Sequence, residues 1–387
     1  MSRRPGLSLT EVLVALFIMG IGTIAVLTLF PLGALNMAQA FRDDRCTQGA
    51  AQADAFLRSY VRERIDTGRL TPAPPGGEGF YEALTSPDQK KTFSNYFVGD
   101  DSGGSISYPV LIDPIGFKAR GGTTDAGGVQ ATNTWFGADN GFGDGITTPH
   151  TTALSRRTLR SVLAQPVGNQ QALAIRICSL LDGLGYETTG LPATVGGTID
   201  RDGRYNWMWL VQRHSGTATS PVTVTVVVFD KRAPGYAPTG VPLETVWNPT
   251  YAVPEVPSLL QRGETKLQFA GSYATNTLPN VQRGGWLLDS SIALINRPPT
   301  GAPVVVPFRS TGNPPAGAQM WIRNANFYRV VSVTETPTGI DVELETPLKT
   351  DTGWKTNDPQ LPLSERRFTY FSGVAEVFVR DRPLDLN

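Results

Sequence analysis

"RRPGLSLTEVLVALFIMGIGTIAVLTLFPLGALNMAQAF", from Arg3 to Phe41, decides how this chain is built. Between Val12 and Leu35 every residue is apolar or small except Thr23 and Thr28, and no charge follows until Arg42. A helix rising about 1.5 Å per residue needs about 20 such residues to cross a hydrocarbon layer about 30 Å thick. The run therefore predicts a membrane helix over residues 12–35. Glu11 stands at its mouth. A carboxylate in an apolar span costs about 2.5–3.5 kcal/mol near the centre and less toward an end, so such a group is usually paired or functional.

Several readings compete for this N-terminus. Arg3 and Arg4 could open a cleaved secretory signal with Ala38-Gln39-Ala40 as its A-x-A site, but signal cores span only about 7–15 residues. A twin-arginine reading of "SRRPGL" is broken by Pro5 and Gly6. A simple anchor, with the two arginines held in the cytoplasm, leaves Glu11 either unexplained or snorkelling to the interface.

The order of basic leader, Gly6 and then "LSLTEVLVALFIMGIG" resembles the prepilin N-terminal cleavage and methylation motif of type IV pilins and type II secretion pseudopilins. The resemblance covers only the first tenth of the chain. It implies that a prepilin peptidase/N-methyltransferase cuts between Gly6 and Leu7 and methylates Leu7. Counted from Leu7, Glu11 is the fifth mature residue, the family's place for its signature glutamate; Leu7 itself departs from the usual phenylalanine. In that family the fifth-position carboxylate pairs with the N-terminal ammonium of a neighbouring subunit, which makes Glu11 an assembly residue by implication. Among apolar helices such a pair interacts far more strongly than at a wet surface, and a lone charge there is strongly unfavourable.

Beyond the apolar run, Ala38, Phe41, Cys46, Ala50, Ala53, Leu57, Val61 and Ile65 recur at helical steps, with charged residues on most other faces. Residues 7–66 thus predict one rod of about 90 Å, kinked at Pro31 because proline removes a ladder hydrogen bond. Gly20, Gly22 and Gly33 would permit close helix contact. "TGRLTPAPPGGEGF" then breaks the pattern, and residues 67–155 form a loop-dominated Gly/Pro-rich region. From Arg156 to the end at residue 387, short runs including "ALAIRICSLL", "NWMWLVQR", "VTVTVVVFD", "FYRVVSV" and "IDVELE" read as strands. Val222, Val224, Val226 and Val228 alternate with Thr223 and Thr225, as in a sheet with one buried face. The expected fold is α+β: leader 1–6, helix 7–66, loop region 67–155 and a large, mainly antiparallel β-rich head over 156–387.

Lys+Arg and Asp+Glu both number 34, so no basic footprint for nucleic acid exists. Cys46 and Cys178 are the two cysteines; they would bridge helix to sheet in an oxidising compartment or remain buried thiols. Catalytic patterns are weak. "DDSGG" at Asp100–Gly104 precedes both histidines, His150 and His214, whereas a chymotrypsin-like order places its histidine first. "DNGFGDG" (Asp139–Gly145) and "DRDG" (Asp200–Gly203) lack the full calcium-loop ladder. Trp207, Met208 and Trp209 offer a carbohydrate or partner surface or else core packing. No enzyme, cofactor or metal is expected.

The resemblance implies a structural subunit, more like minor pilins or minor pseudopilins than major ones. It would sit in the bacterial inner membrane with an extracytoplasmic head and then join other pilin or pseudopilin subunits in a surface filament or periplasmic pseudopilus. The alternative is a surface adhesion or binding protein that uses the helix only as an anchor. Native protein should have the mass of a chain beginning at N-methyl-Leu7, and Gly6→Phe should retain the leader. A mature start at Met1, at Ser2 or after Ala40 would contradict this.

Overall fold

A computed structural model of the chain describes residues 9–70, 96–98, 109–119, 155–157, 159–163, 167–181 and 203–212, scattered positions from 183 to 201, and 222–232, 244–247, 263–270, 280–290, 292–295, 320–349 and 368–384. It divides into two units, Met1–Gln48 and Gly49–Asn387.

Helix α1, Leu9–Leu70, is a single element that runs on through Pro31. In the second unit its buried residues are Ala50, Ala53, Leu57, Tyr60 and Val61, the i, i+3, i+7, i+10, i+11 stripe of a helix lying on an apolar surface. Among the described residues three short helices follow: α2, Pro114–Ala119; α3, Arg160–Leu163; and α4, Val167–Ile177.

The strands, in chain order, begin with β1 (Tyr96–Val98), β2 (Val110–Ile112), β3 (Ser155–Arg157), β4 (Thr194–Val195) and β5 (Thr198–Ile199). Next come β6 (Tyr205–Gln212), β7 (Val222–Asp230), β8 (Glu244–Trp247), β9 (Lys266–Ala270), β10 (Trp286–Asp289) and β11 (Ile292–Ile295). The last are β12 (Met320–Arg323), β13 (Asn326–Thr336), β14 (Gly339–Leu344), β15 (Phe368–Phe371) and β16 (Val374–Leu384). They make a five-stranded sheet β16-β7-β6-β2-β3, a six-stranded sheet β8-β15-β10-β13-β14-β9, a three-stranded sheet β1-β12-β11 and the pair β4-β5. Pairing is antiparallel throughout these sheets except between β2 and β3.

The five-stranded sheet is covered on both faces. On one, Trp209 donates from Nε1 to the Ala53 carbonyl of α1 at 3.1 Å, and its ring stacks on Phe56 at 6.1 Å. On the other, Leu111, Met208, Leu210, Val227 and Phe229 pack with Leu288, Ala325 and Phe371 of the six-stranded sheet's side. That second sheet gathers its own core around Leu267, Phe269, Tyr328, Ile340, Val342 and Phe368. The expected one-sided exposure of β7 is therefore corrected: Thr225, Val227 and Phe229 are as buried as Val224, Val226 and Val228. A central strand roofed by both a helix and a sheet has no wet face, and alternating threonines do not report this.

"ALAIRICSLL" is likewise corrected from strand to helix. Ala172–Ile177 belongs to α4. Alanine, glutamine and leucine are strong helix formers, and Ala174 and Cys178, four apart, are both fully buried. "YPVLIDPIGF" supplies β2, inside the central sheet between β6 and β3.

Strands β10–β11 and β12–β13 form one long pair that crosses from the six-stranded to the three-stranded sheet. Asp289↔Asn326 and Ile292↔Arg323 keep the same register on either side of a two-residue lapse. Polar side chains fill the lapse: Gln212 donates to the Ala325 carbonyl at 2.7 Å, and the Ser290 and Thr369 hydroxyls meet at 3.0 Å.

A buried ion pair ties the ends of the central strands. Asp113 follows β2 and Arg232 follows β7, and the two bind bidentately at 2.8 and 2.6 Å with both side chains essentially inaccessible. Asp113 Oδ1 also accepts the Gly116 amide at 3.0 Å, capping α2 with Pro114 in the first helical position. The Arg232 guanidinium lies 4.3 Å from the Phe229 ring centre. A Cβ at Gly116 would overlap both Asp113 Oδ2 and Arg232 Nη2. Asp113→Ala, leaving Arg232 buried without its counter-ion, should cost about 3–5 kcal/mol. Asp113→Ala/Arg232→Met should cost less than the sum of the single changes in denaturant melts, and Gly116→Ala should destabilise although it only adds a methyl group.

Candidate assembly site

In the first unit α1 is an apolar helix with an acid at its start, followed by the charged stretch Arg42–Arg45. Glu11 lies in the first turn of α1, where a negative charge complements the helix dipole. Leu16, Phe17, Ile18 and Met19 are exposed by 60, 69, 64 and 69%. Four consecutive residues sample every side of a 3.6-residue turn, so no single face of this segment is the covered one. Leu13, Ile24, Phe30 and Leu35 repeat the pattern. A helix apolar all round is stable only inside a larger apolar body, a membrane or a bundle. Thr23 is accommodated by donating its hydroxyl to the Met19 carbonyl at 2.8 Å, the back-bond by which a threonine hides its polarity in a helix.

Among the described residues no helix is long and apolar enough to cross a membrane. The expected crossing at residues 12–35 includes side chains outside that description, and the backbone there is helical without interruption. The cleavage pair Gly6 and Leu7 lies outside the described residues. Pro31 lies inside α1, and Gly20, Gly22 and Gly33 have open space where a Cβ would point.

In the second unit the remaining sequence candidates sort out as structure. Trp207, Met208 and Trp209 are fully interior, which removes the reading of an exposed aromatic surface. Ser102, His150, His214 and the loop Asp139–Gly145 lie outside the described residues. Of Asp200–Gly203, Arg201 and Gly203 are described, and the Arg201 guanidinium donates to the carbonyls of Arg176, in the last turn of α4, and of Ser179 just after it. Among the described residues no group of three or more His, Cys, Asp or Glu could hold a metal.

Cys46 and Cys178, considered for a disulfide, are both buried and are not bridged in the structure. Burial raises the Cys178 pKa well above its usual value, and the Asp113 carboxylate raises it further against the opposing Arg232 charge. A thiol held neutral in this way is a poor nucleophile. The Asp113–Arg232 pair around it had one legible signal, the Asp-Pro step that caps α2; its arginine partner, 119 residues on, had none.

Residues 1–27 match the family model of the prokaryotic N-terminal methylation motif, which is typical of type IV pilins and pseudopilins. Comparison with curated proteins and with solved structures finds no match.

Because Cys46 and Cys178 are both buried, a thiol reagent at pH 8 should label neither in the native chain and both after denaturation, with reduction making no difference to the count. Labelling of Cys178 in the native state would contradict its burial.

Proposed function

We propose that the chain is a structural pilin-like subunit, made as an inner-membrane precursor with an extracytoplasmic head. A prepilin peptidase removes residues 1–6 and methylates Leu7, and the product polymerises through α1 with other pilin or pseudopilin subunits. The observation that carries this reading is the methylation-motif match at residues 1–27, joined to a helix apolar on every side with Glu11 in its first turn. The membrane holds the apolar segment before assembly, and neighbouring α1 helices hold it afterwards. Glu11 then faces the Leu7 ammonium of a neighbour, so each subunit offers one charge of each sign and the pair sets the axial register. The size of the second unit relative to the helix suits a minor, low-copy subunit of a pilus-like filament or a secretion pseudopilus.

Glu11→Val removes an acid from an apolar helix and should leave membrane insertion at least as favourable. Leader cleavage should stay close to normal. Assembly should fall sharply, because an ammonium buried without its partner costs about 3–5 kcal/mol. The yield of sheared filaments, or of crosslinked pilus-type complexes, from cells with matched membrane levels is the measurement. An unchanged yield would favour a surface adhesion or binding protein in which the helix is an anchor only.

A further inference from the structure

We propose that the outer edge of β16 is a docking strand for a second copy of this chain, the two β16 strands pairing antiparallel about Phe378. This rests on the second unit alone and is independent of how α1 assembles.

Strand β16 is the edge of the five-stranded sheet, with β7 on one side and no described strand on the other. Its pairing with β7 is irregular between Val374 and Glu376 and again between Arg380 and Leu384. These irregularities bound a regular run, Glu376–Arg380, whose middle residue is Phe378. Val379 is 62% exposed. Glu376, Phe378 and Arg380 alternate onto one face of the sheet.

The two charges are unsuited to each other within one chain and suited to each other between two. Four residues apart on a strand, they are separated by about 13 Å, and among the described residues neither forms an ion pair. Arg380 lies with its guanidinium 5.7 Å from the Phe378 ring centre, and its Nε is a buried donor with no acceptor among the described residues. The Glu376 carboxylate meets the next amide, Val377 N–H, at 3.5 Å, a long contact that is readily exchanged. An antiparallel second copy centred on Phe378 puts each Glu376 opposite Arg380 of the other chain, twice by symmetry, and stacks the two Phe378 rings at the centre.

Backbone geometry favours the same register. The Val377 amide is reached by a side chain rather than by the ladder, so Val377 and, by alternation, Val379 present the outward backbone groups. They would make the hydrogen-bonded pairs of the new ladder. Glu376, Phe378 and Arg380 then occupy the non-hydrogen-bonded positions, where opposing side chains approach most closely. Charges on an edge strand ordinarily repel another chain; opposite charges equidistant from the centre of a two-fold pair attract it instead. The two-fold axis is perpendicular to the sheet, so residues 49–70 of α1 in the two copies run in opposite directions.

The test uses the full chain in detergent. Under mild oxidation Phe378→Cys, self-opposed across the axis, should form covalent dimers at least about tenfold faster than Ser372→Cys, which is exposed in the turn before β16. In the Phe378→Cys background, Glu376→Arg should slow trapping about tenfold or more, and adding Arg380→Glu should restore it. Trapping no faster than at Ser372, or no response to charge reversal, would overturn the proposal. Should Phe378→Cys fail to fold, sedimentation of the Glu376→Arg chain, the Arg380→Glu chain and the doubly swapped chain answers the same question at native Phe378. Recovery in the double variant alone is the supporting result; equal behaviour of all three refutes it.

Discussion

A sheet covered on both faces constrains nearly everything in the second unit. With α1 on one side of β6 and the six-stranded sheet's side on the other, β6 and β7 offer little room for polar groups, and among the described residues Asn206 Oδ1 and Trp207 Nε1 are buried without a hydrogen-bond partner. Other polar groups that enter have specific partners. Asn206 donates to the Gly203 and Arg232 carbonyls, Trp209 reaches the Ala53 carbonyl, and Asp113 takes the Arg232 fork and an amide together. The ion pair closes the sheet's end where β2 and β7 stop. Lys231, at φ 60°, makes the left-handed turn that brings Arg232 back from the end of β7.

The first unit obeys the opposite constraint. Among the described residues its helix exposes leucine, phenylalanine, isoleucine and methionine on all sides, and a helix apolar all round is stable within a larger apolar body. In one sequence, then, a body with cores of its own is joined to a helix that is apolar all round.

The helix and most of the strands were legible because their signals are local. A long apolar run, a proline-glycine break and short valine- and tyrosine-rich segments need only neighbours in sequence to be recognised. What was missed depended on distance along the chain. The burial of Val227 and Phe229 on β7 is set by Leu288 and Phe371, which are remote from them in the sequence. The helical fate of "ALAIRICSLL" was hidden by isoleucines at 175 and 177 that suit a strand equally well. The methylation motif at residues 1–27 was readable because a processing signal is linear, whereas the Asp113–Arg232 pair is created only when two remote strand ends converge.

The long pair formed by β10–β11 and β12–β13 also decides how force would pass through the second unit. Two sheets that share the same two backbones are joined covalently as well as by packing, so tension applied at β11 or β12 runs directly into β10 and β13 without first having to peel one sheet from the other. The lapse at Ser290 and Ala325 is the weak link in that line. There Gln212 holds the Ala325 carbonyl and the Ser290 and Thr369 hydroxyls meet. A subunit under strain would open at this joint while both sheets stayed whole, and it would re-form in the same register because both strands remain aligned on either side.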